Sequence, residues 1–344
     1  MRPHPFSVLL VFAGAVAGQS ASHGVAAQVG KESAVEVAGG RVAIHYRPVA
    51  VRSSSLERLQ APGHVWSLGV DQAAELSTDV ALYGGKVLIP PGRHRLSTWF
   101  RKRGDWRLLV FDAARSATYR AGTPYRDFAL RHRESENTSE LLRFEITADT
   151  QGQPHRVRLK IIAGKSVLQL RLIALPVDRF PGQIEGVPAT YEFYRWPAQG
   201  FVQGPLRSYE VLPVGRLHTS GEFGTVYDLT CQHDGKGIMM LFRSSSLRNH
   251  EELLVKASTE LRKRPSDEAL RNRIGALQKA LEVQRQLQTD VLVPCPVTMR
   301  KDRAAQLVVT PKLGSDGPTF EMAFGLRTAV FPVHGARFRR IAWR

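Results

Sequence analysis

The stretch that decides the fold is Lys86-Val87-Leu88-Ile89-Pro90-Pro91-Gly92-Arg93-His94-Arg95-Leu96-Ser97-Thr98-Trp99-Phe100-Arg101-Lys102-Arg103-Gly104-Asp105-Trp106-Arg107-Leu108-Leu109-Val110-Phe111-Asp112. Apolar runs at Lys86 to Ile89, His94 to Phe100 and Trp106 to Asp112 are short and partly alternating, which is the period of a half-buried strand. Between them stand two turn signals, Pro90-Pro91-Gly92 and Lys102-Arg103-Gly104-Asp105. Gly tolerates the positive φ that tight hairpin turns need, and Pro cannot donate to a ladder.

The same grammar extends in both directions. Upstream it predicts strands at Arg41 to Tyr46, Val65 to Leu68 and Glu75 to Leu82; downstream it predicts them at Leu141 to Ala148, Arg156 to Ala163 and Ser166 to Ala174. Turns are expected at Tyr83-Gly84-Gly85, Thr150-Gln151-Gly152-Gln153 and Ala163-Gly164-Lys165. Many short strands with no helical period between them predict a mainly β chain, with a jelly-roll-like antiparallel β-sandwich over residues 35–180. The Pro/Gly-rich run Pro176 to Pro188 reads as a boundary before a second β-rich domain over residues 190–344. Its strands are expected at Thr190 to Trp196, Arg207 to Leu212, Val226 to Cys231, Gly237 to Phe242, Asp290 to Val297, Gln306 to Pro311, Thr319 to Leu326 and Ala336 to Trp343.

One segment breaks the pattern. From Asn249 to Thr289, Leu253, Leu254, Ala257 and Leu261, then Leu270, Ile274, Leu277 and Leu281, recur at helical spacing. Between the two arms, Arg264-Pro265-Ser266-Asp267-Glu268 combines a Pro stop with Ser266 as N-cap and acidic residues for the first turn. An inserted helical hairpin follows, with a solvated charged face over a narrow apolar stripe.

At the N-terminus, Arg2, the apolar run Phe6 to Ala17 and the small residues Val25-Ala26-Ala27 predict a signal peptide over residues 1–27, cut after Ala27. No later apolar run reaches membrane-spanning length, so the mature chain is expected to be soluble, in the periplasm or secreted. Cys231 and Cys295 are the only cysteines. An oxidising compartment would permit a disulfide between them, and two buried thiols are the alternative. Cysteines this far apart, without matched histidines, make no zinc site.

The chain carries a formal net charge of +17, and 37 of its residues are Arg. A charge of that size attracts anionic polymers. The arginines are scattered rather than clustered, and no helix-turn-helix, RRM signature or aromatic-basic platform marks a specific nucleic-acid binder.

Several pieces in order carry a resemblance. They are Ile44-His45-Tyr46-Arg47-Pro48, Gly63-His64-Val65-Trp66-Ser67-Leu68-Gly69, Leu76-Ser77-Thr78-Asp79-Val80, Gly84 to Gly92, Arg95-Leu96-Ser97-Thr98 and Gly104-Asp105-Trp106-Arg107-Leu108-Leu109-Val110-Phe111. Across about residues 35–180 the chain resembles the secreted bacterial family called domain of unknown function 2911. The resemblance implies a secreted β-sandwich and no particular activity. Ser67 and Val70-Asp71 depart from the family pattern, which has Arg after the signature Trp and an Ala-Asn pair after the Gly. The closing phrase Ala336 to Arg344 looks like the last strand of sugar-binding jelly-roll domains.

Candidate site residues fall in the first domain. Trp66, Trp99 and Trp106 lie on or beside strands; exposed, they would stack on sugar rings, and buried they would pack the sandwich. His64, Asp71, Glu75 and His94 flank the signature loop and the Pro-Gly turn, where loop-borne His and carboxylate groups serve as acid, base or ligand. Farther on, His218, Glu222, Asp228, His233 and Asp234 hold ligand types for a metal, but their spacing matches no known code. There is no G-x-S-x-G elbow, P-loop, G-x-G-x-x-G fingerprint or C-x-x-C pair, and nothing calls for a cofactor or metal. The sequence therefore supports a secreted noncatalytic binding or structural module that recognises an extracellular glycan or anionic polymer. A secreted hydrolase of saccharides, with its site near His64 to His94, is the alternative.

Overall fold

The computed structural model describes residues 30–51, 61–69, 73–114, 125–151, 154–184, 187–197, 211–233, 238–244, 250–287, 291–295, 297–314, 317–332 and 339–340. Ten strands make the first sheet: β1 (Lys31–Val37), β2 (Gly40–Tyr46), β3 (Val65–Trp66), β4 (Ala74–Thr78), β5 (Ala81–Gly84), β6 (Val87–Ile89), β7 (Gly92–Lys102), β8 (Asp105–Asp112), β9 (Arg126–Asp149) and β10 (Arg156–Leu175). They run antiparallel in the order β1-β2-β4-β7-β8-β9-β10-β5-β6, with β3 added against β7.

The sheet folds over on itself along β9. Leu130 still pairs with Trp106 of β8, whereas Arg131 already pairs with Gln169 of β10. Val42, Ile44, Leu76, Leu96 and Val110 from one half meet Leu82, Leu142, Phe144, Ile161 and Leu170 from the other in a single core. Each such side chain contributes roughly 1.5–3 kcal/mol when buried. Tyr46 and Phe144 join the layers, ring centroids 4.8 Å apart, and the Ile146 amide donates to the Ser33 hydroxyl at 3.0 Å.

Turn chemistry sets the register. Ala38 and Gly39 link β1 to β2, and Gly85 and Lys86 link β5 to β6, all four at positive φ. Two successive positive φ values in a two-residue hairpin match the right-handed twist of the flanking strands.

Three expectations for this half need correction. Glu75 to Leu82 is not one strand: the chain turns at Asp79-Val80, sending β4 to β2 and β7 but β5 to β10. Ala163-Gly164-Lys165 is no hairpin; Gly164, at φ 62°, is an irregularity inside β10, with register shifts against β9 on both sides. The Val65 to Leu68 strand stops at Trp66, because Leu68 turns to φ 58°.

Pro176 is the one residue between β10 and the next strand. The rest of the proline-glycine stretch is a hairpin of β11 (Val177–Ile184) and β12 (Val187–Tyr194) rather than a linker. With β13 (Val211–Thr219), β14 (Val226–His233) and β15 (Ile238–Ser244) these open a seven-stranded antiparallel sheet. Residues 207–210 of the strand expected at Arg207 to Leu212 lie outside the described residues; the described strand runs on past Pro213, which a register shift between Pro213 and Gly215 accommodates.

The helical hairpin leaves the sheet after β15 as α1 (His250–Lys263) and α2 (Glu268–Leu287). It returns as β16 (Val291–Cys295), which pairs with β15. Leu253, Leu254, Leu270 and Ile274 close around Phe223, Ala257 and Leu277. The N-cap of α2 is Asp267 rather than Ser266: its carboxylate accepts the Leu270 amide at 3.0 Å. The chain then forms a long ribbon of β17 (Val297–Gly314) and β18 (Gly317–Pro332), and β19 (Arg339–Arg340) adds to β16. The ribbon packs on the second sheet through Phe320, 4.9 Å from the ring of Phe193 and 5.1 Å from that of Tyr191.

Candidate functional site

On β7, side chains alternate between two faces. His94, Leu96, Thr98 and Phe100 are buried, while Arg93, Arg95, Trp99 and Arg101 take the opposite face. That outer face, together with β1, β2 and β4, forms a cleft of about 630 Å³ lined by Lys31, Glu32, His45, Arg47, Glu75, Ser77, Arg93 and Arg95.

Register builds its floor. Glu32 of β1 stands opposite His45 of β2, His45 opposite Glu75 of β4, and Glu75 opposite Arg95 of β7. Four strands thus place four ionisable side chains in one row across the sheet. Cross-strand neighbours of opposite sign stabilise one another.

Glu75 is the centre of this row. Arg93 Nε donates to its Oε1 at 2.6 Å and Arg93 Nη2 to its Oε2 at 2.9 Å, while Arg95 Nη2 lies 3.2 Å from Oε2. The Arg93 hydrogen bonds, with both guanidinium charges, outweigh burial and hold this carboxyl below the usual carboxylate range. Arg95 Nη1 donates to the Ala73 carbonyl at 3.2 Å, and Arg95 Nε is buried without a hydrogen-bond partner. At the other end of the row, Glu32 accepts a hydrogen bond from Arg41 and lies 3.1 Å from His45 Nδ1.

The residues singled out in the sequence scatter around this cleft. Only Glu75 lines it. His94 points into the core, 5% exposed, with Nε2 2.8 Å from the Pro90 carbonyl oxygen. Burial is the main force that lowers its pKa, to about 4. His64 is exposed in the turn before β3, where its carbonyl accepts the Phe100 amide. Asp71 lies outside the described residues. Trp106 is a core residue, its ring tilted against that of Phe100 with centroids 4.8 Å apart. Trp66 is half-buried against the same core, and Trp99 is half-buried under the Arg101 guanidinium at 5.1 Å. The three tryptophans therefore form no common platform.

The second sheet carries a charged row of its own. Arg179, Glu192, Arg216 and Asp228 stand in register on β11, β12, β13 and β14. Arg179 pairs with Glu192 at 2.9 Å, Arg216 with Asp228 at 2.8 Å, and His218 Nε2 lies 3.0 Å from Glu192. Burial works to raise the Glu192 carboxyl, but the bonds from His218 and Arg179 outweigh it and keep it below the usual range. Of the would-be metal residues, His218, Asp228 and Glu222 are taken up in separate ion pairs, Glu222 with Arg273 at 3.1 Å; His233 ends β14, and Asp234 lies outside the described residues. Among the described residues, no three His, Cys, Asp or Glu side chains converge on a metal position. Cys231 stands opposite Met240 on β15, and Cys295 opposite Ile238 on the other side of that strand. With β15 between them and a two-residue offset along it, two strand spacings of about 4.8 Å and a rise of about 3.3 Å per residue put their Cα atoms roughly 12 Å apart, beyond the ~7 Å that a disulfide bridges.

Sequence reasoning missed Glu32, His45, Arg93 and Arg95. A signal was present in Arg93-His94-Arg95, where period two puts both guanidiniums opposite the buried histidine. Compared with family models, with curated proteins and with solved structures, the chain finds no match in any of the three.

Proposed function

We propose that this protein is a secreted, noncatalytic binding module that recognises an extracellular glycan or other anionic polymer through the cleft beside β7. The observation that supports it most is the lining: Lys31, Arg47, Arg93 and Arg95 against the carboxylates of Glu32 and Glu75, on the face turned away from the core. Export through the leader at residues 1–27, and kinship over residues 35–180 with domain of unknown function 2911, belong to the same proposal. No helix among the described residues is long and apolar enough to cross a membrane.

The chemistry of Glu75 speaks for binding over hydrolysis. A glycosidase needs one carboxyl with a raised pKa to protonate the leaving group. Glu75 is pulled the other way by Arg93 and Arg95. His94 faces the core, and the histidine in register with Glu75, His45, lies 3.1 Å from the Glu32 carboxylate.

The test is retention of the purified protein on an immobilised acidic polysaccharide across a salt gradient. Retention at low ionic strength that is lost as salt rises is expected, because exposed charges are screened within about 10 Å at 0.1 M. Arg93→Gln should elute several-fold earlier in salt. Absence of retention at low salt, or release of saccharide products from a glycan panel, overturns the proposal, the latter in favour of a hydrolase.

A further inference from the structure

Arg93 and Arg95 of the cleft already hold a carboxylate. Both oxygens of Glu75 are engaged, Oε1 by Arg93 Nε and Oε2 by Arg93 Nη2 and Arg95 Nη2, in the side-on fork with which arginine grips a planar oxyanion. The Glu75 side chain is 10% exposed, whereas that of Arg93 is 69% exposed, so the carboxylate sits beneath and the guanidinium faces the mouth. The other carboxylate of the row, Glu32, is held by Arg41 and His45. Lys31, on the rim, forms no ion pair with the described residues. An oxyanion arriving in the cleft thus meets two guanidiniums whose charge one internal carboxylate partly cancels.

We infer that Glu75 sets the charge selectivity of the cleft: it is a resident carboxylate on the Arg93–Arg95 pair, and an acidic group of the ligand competes with it for those donors. This rests on the cleft being the recognition site, and it names the group recognised as an oxyanion, a carboxylate or sulfate, carried on the polymer. The strand that bears Glu75 is anchored by its neighbours. Ala74 and Leu76 bury against the core on either side of it, and β4 is hydrogen-bonded on both edges, to β2 and to β7. Resident carboxylate and ligand repel, which keeps affinity low for singly charged anions and reserves the site for ligands that bring several charges at once.

The experiment compares the full chain with Glu75→Gln, Glu75→Asp, Arg93→Gln and the double variant E75Q/R93Q, each checked by circular dichroism. Affinities for dextran sulfate and for a polyuronate are measured at fixed ionic strength, and melting temperature is followed with millimolar sodium sulfate against sodium chloride of equal ionic strength. Removing one negative charge a few ångströms from the ligand should tighten binding roughly three- to tenfold in E75Q. Arg93→Gln should weaken it, and the double variant should return towards wild type. Glu75→Asp, whose shorter side chain draws the carboxylate back from Arg93, should tighten binding less than E75Q and decides the matter if the glutamine variant does not fold. Equal or weaker anion binding by a folded E75Q or Glu75→Asp overturns the inference. If neither polymer binds wild type but sulfate shifts the melting of E75Q more than that of wild type, the resident-anion role stands and the glycan reading falls. A preference between dextran sulfate and polyuronate identifies the oxyanion.

Discussion

Glu75 and His94 stand on neighbouring strands one register step apart, Glu75 opposite Arg95 and His94 opposite Leu76. That single step sends the carboxylate to the cleft and the imidazole to the core. His94 is neutral in the folded protein because burial opposes its charged form, with Arg126 and Arg216 adding to the effect, against the Pro90 carbonyl bond and Asp112. Its folded pKa of about 4 lies below the ordinary 6.5, so between those values the unfolded chain takes up the proton first. Stability is therefore lost as pH falls from about 6.5 towards 4, on the order of 3 kcal/mol in full. Urea midpoints at pH 7 and pH 4.5 check this: His94→Asn should lose clearly less on acidification than wild type, and equal losses would remove His94 as the cause.

At the scale of elements, local capping and close approach decide which contacts form. Asp267 caps α2 by accepting the Leu270 amide, and Asp267→Ala should cost about 1 kcal/mol, read as a lower urea midpoint with an unchanged slope. On β13, a Cβ added to Gly215 would come within 2.0 Å of the Glu192 carbonyl oxygen. Neither backbone can yield without breaking the β12–β13 ladder. Gly215→Ala should therefore destabilise by roughly 3 kcal/mol or more, since a backbone clash belongs with the severe mechanisms. Because Glu192 lies opposite Arg216, the same substitution should disturb the Arg179–Glu192–His218 cluster. An unchanged melting temperature for this variant would rule out so close an approach of the two strands.

At the scale of the whole molecule, the two sheets share a core. Ala81 and Leu175 of the first sheet are buried with Tyr191, Phe193 and Leu229 of the second. Tyr83 meets Trp196 edge-on at 4.7 Å, and Trp196 Nε1 donates to the Pro213 carbonyl at 2.8 Å. Shared burial couples the stabilities of the two halves. Trp196→Ala should cost about 3–5 kcal/mol and, by loosening the seam, split one calorimetric transition into two. A variant that still melts in one transition of wild-type width would place the coupling elsewhere.

What the amino-acid sequence determined by itself is local. Alternation in His94 to Phe100, the Gly104 and Gly85 turns and the helical period of Leu270 to Leu281 each act over a few residues, where propensity and turn chemistry decide. The mainly β fold and the helical hairpin were legible for that reason. Capping was less so, because Ser266 and Asp267 are both good N-caps and only the path of the chain chose between them. The cleft belongs to the tertiary structure. Glu32, His45, Glu75 and Arg95 are far apart in the chain and meet only through the pairing of four strands, and no local pattern encodes which strand lies beside which. Polar residues one position apart can serve opposite faces, so His94 and Glu75 read alike in sequence and part company once the sheet has folded over its core.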